Sequence, residues 1–98
     1  MLKPAVFFDR DGVLNIERGY VYKSSDFVWV EGAKAAIKFL NEKNYLVFVV
    51  TNQSGISRNY YSEKDVIKLH QFMSDELKKY NAKIDEFFYS PWHPEGIN

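Results

Sequence analysis

Apolar positions along the chain switch between two spacings. Residues 5–9, AVFFD, form a short unbroken apolar run ended by an acid, and predict a strand buried on both faces. Residues 10–30 carry turn residues and scattered aromatics (Tyr20, Tyr22, Phe27, Trp29) without a steady period, and predict a loop with a small flap whose aromatics pack over the sheet. From Gly32 the spacing becomes helical: Ala33, Ala36, Ile37 and Leu40 fall at i, i+3, i+4 and i+7, with Asn44 as the stop. Residues 45–51, YLVFVVT, predict a second strand, and NQSG breaks it. Ser62 followed by Asp65 resembles a capping arrangement, after which Val66, Leu69, Met73, Leu77 and Tyr80 line one helical face to about residue 80. KIDEFFYS predicts a third strand over residues 83–89, and PWHPEGIN a loop.

Strand, helix, strand, helix, strand is the signature of an α/β fold with a parallel sheet, right-handed crossovers and flanking helices. In such sheets ligands sit at the carboxyl ends of the strands. Asp9 closes the first strand and Thr51 the second, so both are expected at that edge, side by side.

Composition narrows the possibilities. The chain has 98 residues, enough for one small domain over 1–98. Hydrophobic residues make up 46% and charged residues 27%, with 13 basic and 13 acidic side chains and no net charge. No run of like charge draws the chain to nucleic acid or anionic lipid, so neither is an expected partner. There are no cysteines, which removes disulfides and thiolate zinc sites. The apolar run before Asp9 is too short for a signal peptide core or a membrane span, and a cytoplasmic location is expected.

The segment FFDRDGVLN holds the candidate chemistry. A polar turn at Asp11-Gly12 is one reading. An EF-hand is not, because that loop needs three alternate acidic or amide positions before its glycine. The other reading gives the two carboxylates, expected to point to opposite sides, separate tasks: one attacks as a nucleophile, the other serves as acid and then base. A carboxylate and a phosphate repel, so a hard cation such as Mg²⁺ is expected between them.

FFDRDGVLN together with VVTNQSGI resembles the first two motifs of the haloacid dehalogenase-type phosphatases, and is most similar to their heptose-bisphosphate and histidinol-phosphate phosphatase subfamily. Gly19-Tyr20-Val21 matches the subfamily's flap, Thr51-Asn52-Gln53-Ser54-Gly55-Ile56 its second motif, and Trp92-His93-Pro94-Glu95-Gly96 stands where it commonly has HHPEG. The resemblance implies a Rossmann-like parallel sheet and hydrolysis of a small phosphorylated metabolite, a sugar bisphosphate first and histidinol phosphate second. It implies Asp9 as nucleophile and Asp11 as acid–base. It also implies Mg²⁺ held by the Asp9 carboxylate and the Asp11 backbone carbonyl, with Thr51 on the transferring phosphoryl group. Asn52, Gln53 and Arg58 become substrate contacts, Arg58 suiting a second phosphate through its bidentate fork. His70, beside the apolar face of its helix, is expected to be structural, and His93 to be a loop or rim residue.

Two departures matter. Ser90 and Trp92 occupy the places where many bacterial members begin a Cys-x-His zinc loop, so no zinc is expected. The resemblance also calls for a later lysine and a further acidic Mg²⁺ ligand, and Asn98 precedes both. A fold truncated after the third strand leaves strand 5–9 as an open edge, and a complementing segment or chain is expected to cover it. A non-catalytic interaction module and an aspartate-phosphorylated receiver-like domain stand as the competing classes.

Overall fold

The computed structural model describes residues 2–90. Three strands, β1 (Ala5–Phe8), β2 (Leu46–Asn52) and β3 (Glu86–Ser90), form one parallel sheet in the order β1-β2-β3. Helices α1 (Ala33–Glu42) and α2 (Glu63–Lys79) make the two crossovers. The expected α/β architecture is present. The expected terminal loop, with Trp92 and His93, lies outside the described residues.

Each helix is bounded by identifiable chemistry. Gly32 precedes α1 at φ 87°, and Asn44, at φ 65°, takes the left-handed turn that ends it. The Tyr45 amide then donates to the Leu40 carbonyl at 2.9 Å. Ser62 and Asp65 form a full capping box at the start of α2: the Asp65 amide donates to the Ser62 hydroxyl and the Ser62 amide to the Asp65 carboxylate. Lys78 and Lys79 sit in its last turn, where cations suit the helix dipole.

Ile37 of α1 and Val66, Leu69, Met73 and Leu77 of α2 are fully or almost fully buried, and pack with Val47 and Val49 of β2 into one core. Burying each such side chain is worth roughly 1.5–3 kcal/mol. Two expected face residues fall outside this core: Ala36 is exposed, and Tyr80 caps α2 with its ring facing Lys34 and Lys38.

The register is Val6 beside Val47, Phe8 beside Val49, Phe87 beside Val49 and Tyr89 beside Thr51. It turns these residues to the helix-covered face. The expectation that residues 5–9 are buried on both faces is corrected. Strand alternation sends Phe7, Phe48, Val50 and Phe88 to the other face, where Phe7 is 61% exposed and Phe88 48%. Their rings touch in a row, 5.1 Å from Phe7 to Phe48 and 5.8 Å from Phe48 to Phe88. No described element covers that face, and β1 is an edge strand among the described residues.

β3 starts later than expected because residues 83–85 bond elsewhere. The Lys83 amide donates to Asn41 Oδ1, and Asp85 accepts from the Val47 amide while donating its own amide back to the Val47 carbonyl. The flap, irregular as expected, contains a single 3-10 turn at Ser24–Asp26. It is closed at its base by backbone bonds from Ile16 to Val28 and from Val30 to Leu14. Of its aromatics, Phe27 joins the core that holds Val47 and Val49 of β2 and meets Phe72 of α2, with Trp29 packed against that core, whereas Tyr20 packs on Tyr60 and Tyr22 stacks on Tyr61 at 4.8 Å. Among the described residues, no helix is long and apolar enough to cross a membrane.

Candidate active site

At the carboxyl end of β1 the chain turns tightly. The amides of Val13, Leu14 and Asn15 all converge on the Arg10 carbonyl, and the Gly12 amide returns to the Asn15 carbonyl at 2.7 Å. Gly12 adopts φ 86°, a conformation that residues with a Cβ rarely take. The turn expected at Asp11-Gly12 is present, and it presents the Asp11 carboxylate.

Burial across the motif alternates: Asp9 is exposed, Arg10 fully buried, and the Asp11 side chain 24% exposed. Residues two apart on extended chain share a side. The expectation that the two carboxylates point to opposite sides is thus corrected: both reach the open side, and it is Arg10 that turns inward.

The Asp11 carboxylate is held from three directions. Oδ1 accepts from Arg10 Nη2 at 3.1 Å and from Asn15 Nδ2 at 3.0 Å, and Oδ2 accepts from Gln53 Nε2 at 3.2 Å. Gln53 comes from the loop after β2 and is 2% exposed. The same Nε2 donates to Thr51 Oγ1 at 2.8 Å, and Gln53 Oε1 accepts from the Tyr61 hydroxyl at 2.6 Å. Thr51, at the end of β2, accepts from Gln53 and so keeps its own hydroxyl hydrogen for another acceptor. Burial pushes the Tyr61 phenol above its usual range, so it remains a donor.

The structure thus brings Asp11, Thr51 and Gln53 into one hydrogen-bonded cluster, with Asp9 at the adjoining strand end. Gln53 is engaged inside this cluster, where it braces the catalytic candidates. Asn52 is exposed at the tip of β2, and Arg58 is part-buried in the following loop with its guanidinium 6.0 Å from the Tyr60 ring centroid. Sequence reasoning missed Arg10, Asn15 and Tyr61. The alternation rule applied to D-R-D carries the signal for Arg10; Tyr61 shows none, because its contact depends on how the loop folds back.

His70 projects from α2 toward the same cluster. Its ring stacks on Phe87 at 4.3 Å with 15° between planes, and its Nε2 lies 3.4 Å from Arg10 Nη1. Burial, reinforced by the nearby Arg10 charge, lowers its pKa to about 4, so the imidazole is neutral at neutral pH. The structural role expected for it stands.

Residues 6–66 match the haloacid dehalogenase-like hydrolase family. The chain belongs to that family. Among its relatives in the family, the D-glycero-beta-D-manno-heptose-1,7-bisphosphate 7-phosphatase of Haemophilus ducreyi is 47% identical over 98% of this chain and 53% of its own length. The D-glycero-alpha-D-manno-heptose-1,7-bisphosphate 7-phosphatase of Campylobacter jejuni is 46% identical over 98% of this chain and 55% of its own. The crystal structure of the D,D-heptose 1,7-bisphosphate phosphatase of B. bronchiseptica, complexed with magnesium and phosphate, superposes with a TM-score of 0.86 at 29% identity. That match covers 94% of this chain and 52% of the other. A putative haloacid dehalogenase-like phosphatase from Mesorhizobium loti gives 0.90 at 29% identity, over 98% of this chain and 46% of its own. The chain spans about half the length of the curated relatives it matches.

The donor set suits Mg²⁺ within this family fold. No group of three or more acidic or histidine side chains converges among the described residues. Mg²⁺ does not require one, since it is held by one or two carboxylates plus substrate oxygens and water. The exposed Asp9 carboxylate is the available hard donor, because Asp11's oxygens are already engaged by Arg10, Asn15 and Gln53.

Proposed function

We propose that this chain carries the nucleophile-bearing half of a Mg²⁺-dependent phosphatase that hydrolyses a sugar bisphosphate in the cytoplasm. The observation that carries the reading is the convergence of Asp11 and Thr51, through Gln53, at the sheet edge where Asp9 ends β1. The heptose-bisphosphate phosphatases that match almost the whole chain support the substrate class.

An Asp9 carboxylate oxygen attacks phosphorus, and the bond from phosphorus to the sugar oxygen breaks. Asp11 delivers its proton to the departing alkoxide, giving the free alcohol and an aspartyl-phosphate on Asp9. Asp11 then takes a proton from water as that water attacks phosphorus, which releases phosphate, frees the Asp9 carboxylate and returns Asp11 to its protonated form. Thr51 donates to the transferring phosphoryl oxygens, while Asn52 and Arg58 meet the remainder of the substrate. Asp9 and the Asp11 backbone carbonyl would hold Mg²⁺, which would offset the charge between the carboxylate and the phosphoryl oxygens.

A second reading, an incomplete half-site, is favoured by the open edge of β1 and the uncovered row Phe7, Phe48 and Phe88. In our proposal a complementing segment or chain pairs with β1, covers that row, and brings the lysine and second acid that the family resemblance calls for. A monomer of these 98 residues that melts like a native protein at micromolar concentration would count against it.

The test is phosphate release from heptose bisphosphate and histidinol phosphate, with and without Mg²⁺, beside Asp9→Asn. It is run on the chain alone and after adding the complementary half of a relative. Release that needs Mg²⁺ and Asp9 supports the phosphatase; preference for histidinol phosphate would replace the substrate; no release in either setting overturns the reading.

A further inference from the structure

The mechanism above uses Asp9 and Asp11 but leaves the charged residue between them unexplained. Arg10 is fully buried, although an isolated charge in that position is costly unless its partners are well placed. Its partners come from three separate parts of the fold. Nη2 donates to the Asp11 carboxylate at 3.1 and 3.3 Å and to the Val21 carbonyl of the flap at 2.8 Å. Nη1 faces Nε2 of His70 on α2 at 3.4 Å. A neutral imidazole can accept there, whereas a protonated one would repel the guanidinium. The stack on Phe87 fixes the plane of that imidazole.

We propose that Arg10 is a positioning residue for proton transfer, held by His70 so that its guanidinium locks the Asp11 carboxylate to the flap. The inference rests on Asp11 being the acid–base of the reaction proposed above. Fully buried, Arg10 is out of reach of a substrate at the open end of the strands. It acts by restricting the rotamer of Asp11, and it joins that rotamer to the position of the flap through Val21. Lysine could not reproduce this, because one ammonium lacks the planar fork that reaches the carboxylate, the carbonyl and the imidazole together.

The leaving group separates positioning from a general structural role. Nitrophenolate departs without protonation, whereas a sugar alkoxide needs the proton of Asp11. In the phosphate-release assay above, Arg10→Lys is expected to lower kcat/KM, which covers only the steps through departure of the leaving group, by about 100-fold on the sugar phosphate and by no more than about threefold on p-nitrophenyl phosphate. His70→Phe keeps the stack on Phe87 and loses the acceptor, so it should show the same selectivity to a smaller degree. His70→Gln, which restores an acceptor, should recover part of the loss. Equal losses on both substrates would overturn the proposal.

If no phosphate is released from either compound, by the chain alone or with the complementary half added, the phosphatase reading fails and NMR decides whether Arg10 locks Asp11. The side-chain amide signals of Asn15 and Gln53, which both touch Asp11, should shift in Arg10→Lys while the Met73 methyl signal of the core stays in place. Unmoved amide signals, or a Met73 signal that moves with them, would reject Arg10 as the lock.

Discussion

Gln53 Nε2 lies 3.2 Å from Asp11 Oδ2, so a side chain from the loop after β2 grips the carboxylate presented by the turn after β1. The two residues are 42 positions apart, and the parallel register of β1 on β2 is what lets them meet. Through the same amide, Gln53 also sets the Thr51 hydroxyl and receives the Tyr61 phenol. The site is therefore a network whose members sit on two loops, with the sheet as the common base.

Replacing Gln53 by Leu should leave the Tyr61 hydroxyl, a buried donor, without its acceptor and release Thr51 and Asp11. Unsatisfied buried polar groups cost about 1–3 kcal/mol each. The expected outcome is a lower urea midpoint at unchanged m-value, together with loss of most phosphate release. An unchanged midpoint would mean that water replaces the amide.

Gly55 leaves room for Tyr61. A Cβ at this position would stand 2.1 Å from Tyr61 Cε2, well inside contact distance. Gly55→Ala should therefore push the ring away from Gln53 and from its stack on Tyr22, at about 1–3 kcal/mol, the usual cost of overpacking. Differential scanning calorimetry of the variant checks this, and a midpoint equal to the parent's would refute it.

The Ser62 capping box predicts that Ser62→Ala lowers stability by about 1 kcal/mol, and Ser62→Gly by less. Chemical denaturation of both variants makes the comparison. No loss in either variant would show that the Asp65 carboxylate alone holds the start of α2.

Acid should destabilise the fold through His70. Its folded pKa of about 4 lies below the ordinary 6.5, so the unfolded chain takes up a proton first. The contribution of the neutral imidazole is complete above pH 6.5 and is lost as pH falls from there toward 4. Linkage puts the total at about 3 kcal/mol as an upper value. Urea titrations at pH 7, 5.5 and 4.5 should show His70→Gln losing less stability than the parent over this window. Parallel losses would place the acid sensitivity elsewhere.

The chain's letters determined much of this protein. Helical spacing found both helices, β-branched and aromatic runs found β2 and β3, and the capping pair Ser62 and Asp65 and the stop at Asn44 were readable because each is a local hydrogen-bond or backbone preference. Asp9 and Thr51 could be placed at the strand ends for the same reason: the end of an apolar run marks the end of a strand.

Only the tertiary structure decided how far each surface is covered and which loops meet. Strand 5–9 reads as buried on both sides because an apolar run carries no record of which neighbours exist; in the fold, helices cover one face and leave Phe7 and Phe88 on the other. The family resemblance makes Gln53 a substrate contact, yet folding turns its amide inward onto Asp11, Thr51 and Tyr61. Arg10 meets His70 from 60 positions away. Such contacts depend on the relative placement of β1, the flap and α2, which chain-local preferences do not encode.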